Sequence, residues 1–274
     1  MFGRRRDGTL ARVPPYRRIL PFLIPRRNDA MVLFDQQLDM TLTQPWLAAW
    51  NQRTGSHATV FHLVLYALGR VLHERPHLNR FVAGRRIYDR HGVFMTFAAK
   101  KSMRDDAPLA TVKRAFPADE TFAAMVAALT TDIQLARSDA LSKVDKELDL
   151  IFRLPAFLLS ASISLLRWLD SHGLAPRALI DDDPMYTSVF AANLGSLQLA
   201  SAYHHLFEHG NCPLFCTVGA ITPAPLVIDG TLEVRPTLPI RYTYDERIED
   251  GFYAASAVAT MRRRLEDPAA WIEG

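Results

Sequence analysis

The chain has 274 residues, of which 49% are hydrophobic and 22% are charged, and its formal net charge is +3 at pH 7. These values are typical of a soluble globular protein of one large domain, whose core needs no disulfide or metal to hold it together. The two cysteines, Cys212 and Cys216, do not suggest a secreted disulfide framework, so we expect a reducing cytoplasm as the location.

Residues 1–30 form a basic N-terminal arm, with eight arginines against Asp7 and Asp29. A basic arm of this kind could bind nucleic acid, an anionic membrane or an acidic partner. Aromatic residues for stacking are sparse and no nucleic-acid module is visible, so we expect no nucleic-acid partner. We expect the arm to lie on a neighbouring subunit with its arginines paired or solvated. The arm lacks serine, which makes it a poor transit peptide, and its apolar run is too short for a signal peptide.

The segment after the arm predicts alternating secondary structure. Apolar runs predict strands at residues 30–41, 86–88, 93–99 and 110–116. Apolar residues at helical spacing predict helices at residues 59–72 and 121–136. Thr59 is the expected N-cap of the first helix, and Pro76 follows its end. The turn at residues 90–92 predicts that the second and third strands form a hairpin.

A much more apolar helix is predicted over residues 148–169, and thirteen residues in it, 154–166, carry no charge. A bilayer span needs about 20 apolar residues, so this helix is too short to cross a membrane. We expect it to pack in the core or at a subunit interface. Peripheral contact with a membrane is the less favoured alternative.

The last hundred residues change to short strands separated by Gly, Pro and Asp-Gly. The predicted strands are residues 187–192, 214–221, 226–228, 232–234 and 238–244. The turn Asp229-Gly230 predicts a hairpin, and residues 250–265 predict a closing helix. The expected fold is an α/β (α+β) two-layer sandwich, a mixed sheet with helices packed on it, in a single domain over residues 31–274.

Five segments, in order, resemble the catalytic domain of dihydrolipoyl acyltransferases. That domain is the core subunit of 2-oxo acid dehydrogenase complexes and shares its fold with chloramphenicol acetyltransferase. The segments are residues 16–19 with 38–41, 67–79, 193–195, 211–220 and 245–251. The last, DERIEDG, overlays the family pattern Asp-His-Arg-x-x-Asp-Gly. The resemblance covers residues 16–268, and residues 141–186 look like a helical insertion beside the shorter family connection.

The resemblance implies CoA-dependent acyl transfer to a thiol or hydroxyl, at a site between the subunits of a homotrimer or of a multiple of trimers. The implied substrates are acyl-CoA and a small acceptor, with no tightly bound cofactor and no metal. The 274 residues contain no recognisable lipoyl or peripheral-subunit-binding domain, so we expect no swinging arm on this chain.

The family's site residues carry over by motif position. The family's histidine acts as general base, and a serine in the next subunit's Ser-Asn-Leu-Gly strand steadies the oxyanion. Here the base position holds Glu246 and the serine position holds Ala192. Asp250 is retained as a candidate catalytic residue, and Asn193 and Gly195 as candidate substrate-binding residues. The structural part of the motif is Asp245, Arg247 and Gly251.

Both groups that touch the reaction in the family are therefore changed. A free glutamate has a pKa near ~4.3 and a histidine near ~6.5, a difference of roughly 2 units or ~3 kcal/mol. Burial would have to raise the pKa of Glu246 for it to serve as the base. His205, in a histidine-rich stretch, is an alternative base. His205, His209 and Cys212 have only loosely metal-like spacing, so a metal site is not favoured.

Three hypotheses remain open from the sequence. The chain is an acyltransferase that uses Glu246 or a relocated histidine, or it is a catalytically silent trimer or cage-forming scaffold. In the third hypothesis it binds an acyl chain or a membrane surface through the helix at residues 148–169.

Overall fold

The computed structural model describes residues 5–100, 109–137 and 155–272. Its helices are α1 (Pro15–Leu23), α2 (Thr43–Thr54), α3 (Val60–Glu74), α4 (Phe122–Arg137), α5 (Ala156–Ser171), α6 (Arg177–Asp181), α7 (Gly251–Glu266) and α8 (Ala269–Ile272). Its strands are β1 (Gly8–Leu10), β2 (Met31–Asp39), β3 (Phe81–Ala83), β4 (Arg86–Arg90), β5 (Phe94–Lys100), β6 (Leu109–Ala115), β7 (Val189–Asn193), β8 (Leu214–Val218), β9 (Thr222–Ile228) and β10 (Thr231–Asp245).

The strands form two sheets. The large sheet has the order β2-β10-β8-β7-β5-β6, with β9 paired to the first half of β10. Strand β7 runs parallel to β5 and β8, whereas β10 is antiparallel to β2, β8 and β9. The small sheet has the order β1-β4-β3. The predicted α/β fold with a mixed sheet is confirmed.

The main core lies between one face of the large sheet and helices α2, α3, α4 and α7. Helix α3 is central because apolar residues recur on most of its sides, and nine of its residues are buried. Its predicted N-cap is confirmed: the Thr59 backbone N–H donates to His62 Nδ1 at 3.1 Å. Leu38, Met95 and Met261, from two strands and α7, complete this core.

The hairpin predicted around residues 90–92 is wrong. Strand β4 pairs with β3 and with β1 of the N-terminal segment, where Gly8 lies opposite Arg90. Strand β5 pairs instead with β6 and β7 in the large sheet. Residues 90–92 therefore connect the two sheets. Strand β1, and not β5, is the second partner of β4.

The strands predicted at residues 232–234 and 238–244 are one strand, β10. The prolines Pro236 and Pro239 do not end it, since their carbonyl groups still accept ladder hydrogen bonds. The Pro236 carbonyl accepts from the Met40 backbone N–H at 2.8 Å, and the Pro239 carbonyl accepts from the Gly219 backbone N–H at 2.9 Å. The Asp229-Gly230 turn is confirmed, with positive φ angles of 48° and 81° that suit a tight hairpin.

The described part of the arm, from Arg5 onward, packs on the body of its own chain. Arg5, Arg17 and Arg27 are all buried. Arg5 pairs with Asp7 and Asp170, and Arg27 donates to the Gly210 carbonyl at 2.9 Å. Ion pairs and carbonyl contacts thus compensate the burial of these arginines.

Helix α5 is the described part of the apolar helix predicted over residues 148–169, of which residues 148–154 lie outside the described part. None of its residues is buried within this chain, so core packing is not observed for it. Most of its apolar side chains are exposed, up to 71% at Phe157. No described helix is long and apolar enough to cross a membrane.

Candidate functional site

The turn that follows β10 is closed by a buried ion pair. Asp245, the last residue of the strand, is fully buried, and Arg247 folds back onto it. Arg247 donates from Nε to Oδ1 and from Nη2 to Oδ2, both at 2.7 Å. This two-pronged geometry fixes the direction of the chain from residue 245 to 247.

The N-terminal segment holds the same turn from outside. Arg247 Nη1 donates to the carbonyl groups of Ile24 at 3.0 Å and Pro25 at 3.1 Å. Arg17 of α1 pairs with Glu249 at 3.0 Å and lies 3.6 Å from Asp250. The motif turn is thus tied to α1 by two arginines.

Glu249 is the centre of a second charge network, which the sequence did not predict. Besides Arg17, it accepts from Arg80 Nη1 at 2.9 Å and lies 2.9 Å from His77 Nδ1. These partners come from two separate segments, α1 and the turn at residues 77–80, which are both far from Glu249 in the chain, so no local pattern signals the cluster. It anchors the turn between Arg247 and α7.

Glu246 lies half-buried between these two networks. Its backbone N–H donates to the Ala30 carbonyl at 3.0 Å, and its own carbonyl accepts from Arg17 at 3.3 Å. Within the described residues its carboxylate makes neither a hydrogen bond nor an ion pair. The backbone of Glu246 is therefore fixed, while its carboxylate has no polar partner among the described residues.

Tyr244 is a neighbour of Glu246 that the sequence analysis missed. Burial raises the pKa of its hydroxyl, and the negative charges of Glu246 and Asp250 raise it further. Tyr244 is therefore a neutral hydrogen-bond donor among carboxylates. The available signal was its position in the motif, two residues before Glu246 at the end of β10.

Asp250 and Gly251 start α7. Asp250 is its N-cap and accepts from the Tyr253 backbone N–H at 2.9 Å. An acidic cap satisfies one free N–H group and complements the positive end of the helix dipole. Asp250 thus has a structural contact in this chain.

Ala192, Asn193 and Gly195 lie at the end of β7. Asn193 Oδ1 accepts from the Ser196 backbone N–H at 3.2 Å, which closes a short turn. A Cβ atom on Gly195 would lie 2.5 Å from the Gly219 carbonyl oxygen, so only glycine fits this close approach of two backbone segments. Ala192 is half-buried and offers no side-chain donor.

The two groups of motif residues, at 192–195 and at 245–251, do not meet within one chain. Ala192 lies opposite Thr217 of β8, which lies opposite Arg241 of β10. Glu246 is five residues beyond Arg241, which is roughly 17 Å along the strand and two strand spacings of about 5 Å across it. The direct separation is therefore roughly 20 Å.

His205 is exposed on the coil at residues 199–213, and its Nδ1 lies 3.1 Å from the Leu206 carbonyl oxygen. The coil is bound to β10 where Thr243 Oγ1 donates to the His204 carbonyl at 2.6 Å. Thr243 and Tyr244 face opposite sides of the strand. No contact among the described residues joins His205 to Glu246.

The other members of the loosely metal-like set have different partners. His209 lies 2.6 Å from Asp183, and Cys212 Sγ donates to the Leu214 carbonyl at 3.1 Å. Within the described ranges no group of three or more His, Cys, Asp and Glu residues could hold a metal ion.

Comparisons with known proteins place these features in a family context. The family model for the 2-oxoacid dehydrogenases acyltransferase (catalytic domain) matches residues 190–273. This match confirms, over those residues, the resemblance predicted from the motifs. No curated protein matches the chain. The assignment of Glu246 to the family's histidine position rests on the motif alone.

Solved structures share the fold. The dihydrolipoamide acetyltransferase of Azotobacter vinelandii is similar with a TM-score of 0.62 and 18% identity, covering 96% of this chain and 94% of that one. A probable dihydrolipoamide acetyltransferase from Listeria monocytogenes has a TM-score of 0.61 and 15% identity, covering 93% of each chain. A chloramphenicol acetyltransferase has a TM-score of 0.53 and 13% identity, covering 94% of this chain and 99% of that one. These likenesses confirm the chloramphenicol acetyltransferase-like fold.

Proposed function

We propose that this chain is a CoA-dependent acyltransferase of the 2-oxo acid dehydrogenase type, with Glu246 as the general base. The match over residues 190–273 and the shared fold support the family assignment. The observation that carries the role of Glu246 is its free carboxylate, held on a fixed backbone between two charge networks. A glutamate kept only for structure would be expected to pair with one of the nearby arginines, as Asp245 and Glu249 do.

The proposed site forms between copies of the chain. Ala192 and Glu246 are too far apart in one chain to act on the same bond. The Ala192 that faces a given Glu246 must therefore come from a neighbouring copy of the chain. The outward side of α1 offers apolar surface to bury against a neighbour, with Phe22 and Leu23 exposed by 55% and 68%. One structural relative forms the cubic core of the pyruvate dehydrogenase multienzyme complex. A homotrimer or a multiple of trimers, in the cytoplasm, is the assembly we propose.

The proposed reaction needs two proton transfers, one from the acceptor to Glu246 and one from Glu246 to the departing CoA thiolate. The acceptor's thiol or hydroxyl proton passes to Glu246 as the acceptor atom bonds to the thioester carbonyl carbon of acyl-CoA. The tetrahedral intermediate then collapses, the bond from carbon to the CoA sulfur breaks, and the departing thiolate takes the proton back from Glu246. Tyr244 is a neutral donor near this carboxylate.

Ala192 favours the alternative, a catalytically silent scaffold. A methyl group cannot donate to the oxyanion, and loss of one such donor costs ~2.7–4 kcal/mol in other enzymes. Since enzymes supply ~8–23 kcal/mol in all, the loss slows an acyltransferase without abolishing it. The two hypotheses therefore differ in measurable rate.

The experiment compares acyl transfer from a panel of acyl-CoA thioesters to a small thiol. Wild-type protein should transfer at least one acyl group, and the double variant Glu246→His with Ala192→Ser should transfer faster. Light scattering on both proteins should give the mass of a trimer or a multiple. No transfer by either protein, in an intact trimer, would favour the scaffold.

A further inference from the structure

A cavity of about 640 Å³ opens between the N-terminal segment, strands β5 and β6, and the segment that follows α5. Its charged lining includes Arg5, Arg6, Asp7, Arg90, Lys113 and Asp170. We call it the basic cavity. None of the motif residues at 192–195 or 245–251 lines it, so it is separate from the site around Glu246.

The carboxylates on its wall are already engaged. Asp7 and Asp170 both pair with Arg5, at 2.9 Å and 2.7 Å. Asp181 pairs with Arg177 at 2.5 Å. Because Asp7 and Asp170 share the one charge of Arg5, the balance is counted over the whole wall: five cationic side chains against three carboxylates, a surplus of two positive charges.

Arg90 and Lys113 are two of the cations that line the wall. Lys113 Nζ donates only to backbone carbonyls, those of Ile180 at 3.1 Å, Asp181 at 2.9 Å and Asp183 at 3.0 Å. Arg90 Nη2 donates to the Asn211 carbonyl at 2.9 Å, and its buried Nε has no acceptor within the described residues. Neither residue makes an ion pair in the described part of the chain.

Burial is the largest cause of a lowered pKa in both groups. Burial lowers the pKa of Lys113 to about 8, although Asp183, Asp181 and Asp182 oppose the shift, and Arg90 adds to it. Burial lowers the pKa of Arg90 to about 10, against the attraction of Asp7. A buried cation without an ion-pair partner is costly, and an anion placed between the two would reduce that cost.

We propose that the basic cavity binds a small organic phosphate, with its doubly charged head between Arg90 and Lys113. A phosphomonoester carries about −1.5 to −2 charges at pH 7, which matches two unpaired cations better than a carboxylate does. The cavity has the size of an ordinary small-molecule site, larger than the phosphate group alone. Phe94 and Ile180 line the remainder and suit an apolar body. Arg6, which is exposed, adds a third charge at the wall.

Phenyl phosphate is the probe, and benzoate is its singly charged counterpart with the same ring. Calorimetry and thermal shift on the full chain should detect phenyl phosphate binding, with benzoate about tenfold weaker or more. Lys113→Met keeps side-chain length without charge and should weaken phenyl phosphate binding by about tenfold or more, a change of ~1.4 kcal/mol. Arg263→Met, at an exposed position outside the cavity, is the matched control and should bind as wild type does.

Arg6→Met is a second test, for use if the Lys113 variant does not fold. Arg6 is exposed, so its replacement should leave the core intact. It should weaken phenyl phosphate binding while the melting temperature without ligand stays unchanged. Three results would overturn the proposal: no binding at about 10 mM, where a site with Kd near ~1 mM would be filled; equal affinity for benzoate; or wild-type affinity in the cavity variants. Acyl transfer is measured separately, so a negative result here leaves the role of Glu246 unaffected.

Discussion

Replacing Arg247 by methionine should be the most damaging single change in the motif turn. Asp245 is fully buried and takes two of its hydrogen bonds from the Arg247 side chain at 2.7 Å. Removing one partner of a buried pair costs about 3–5 kcal/mol, because the other charge stays buried without compensation. Arg27 lies 3.9 Å from the same carboxylate and retains part of the attraction, so we expect the lower end, about 3 kcal/mol.

Urea unfolding followed by tryptophan fluorescence, at one fixed protein concentration, measures this loss. Arg262→Met is the matched control, since Arg262 pairs with Glu266 on the exposed side of α7 and should cost below ~0.5 kcal/mol. Asp245→Asn together with Arg247→Met should recover part of the loss, because the buried carboxylate charge is removed; recovery stays partial because Arg27 loses its attraction to Asp245. If Arg247→Met and Arg262→Met unfold at the same urea concentration, the ion pair does not hold the turn.

Three further predictions concern stability and reactivity. Gly195→Ala places a Cβ atom 2.5 Å from the Gly219 carbonyl oxygen and should destabilise by about 1–3 kcal/mol in urea unfolding, whereas Gly251→Ala, 4.0 Å from Tyr244, should not. Burial lowers the pKa of His62, so the unfolded chain binds that proton first as the pH falls below ~6.5. Stability should therefore drop from pH 7 toward 5, and His62→Gln should reduce that drop; equal slopes would contradict the burial argument. Burial raises the pKa of the Cys212 and Cys216 thiols, so iodoacetamide at pH 8 should modify neither until the protein unfolds, as mass spectrometry would show.

The sequence predicted the elements whose signal is local. Helix α3 has a cap and an apolar periodicity of its own, and the Asp229-Gly230 turn has a fixed chemistry, so both were found. The partner of β4 depends on β1, nearly eighty residues away, and no local pattern reveals that pairing. Helix α2 buries only Thr43, Leu47 and Trp50, which is a narrow stripe among polar residues, and it was missed.

The candidate site likewise has features that the local sequence predicted and features that only the folded chain shows. The motif identified Asp245, Glu246 and Arg247 by position, and the structure adds what position could not give, the two-pronged pair and the free carboxylate. The network around Glu249 joins α1, the turn at residues 77–80 and the motif turn, so only the folded chain brings it together. The roughly 20 Å between Ala192 and Glu246 follows from strand register, which the sequence does not fix.

The rate of acyl transfer by Glu246→Gln tests the role of Glu246 most directly. Glutamine keeps the shape of the side chain but cannot take the acceptor's proton, so turnover should fall by ~10²–10⁴-fold. The melting temperature and the oligomer mass should stay those of wild type. Glu233→Gln, on the distant hairpin of β9 and β10, is the matched control and should keep full activity. Equal turnover in Glu246→Gln and wild type, in folded trimers, would contradict the assignment of Glu246 as the base.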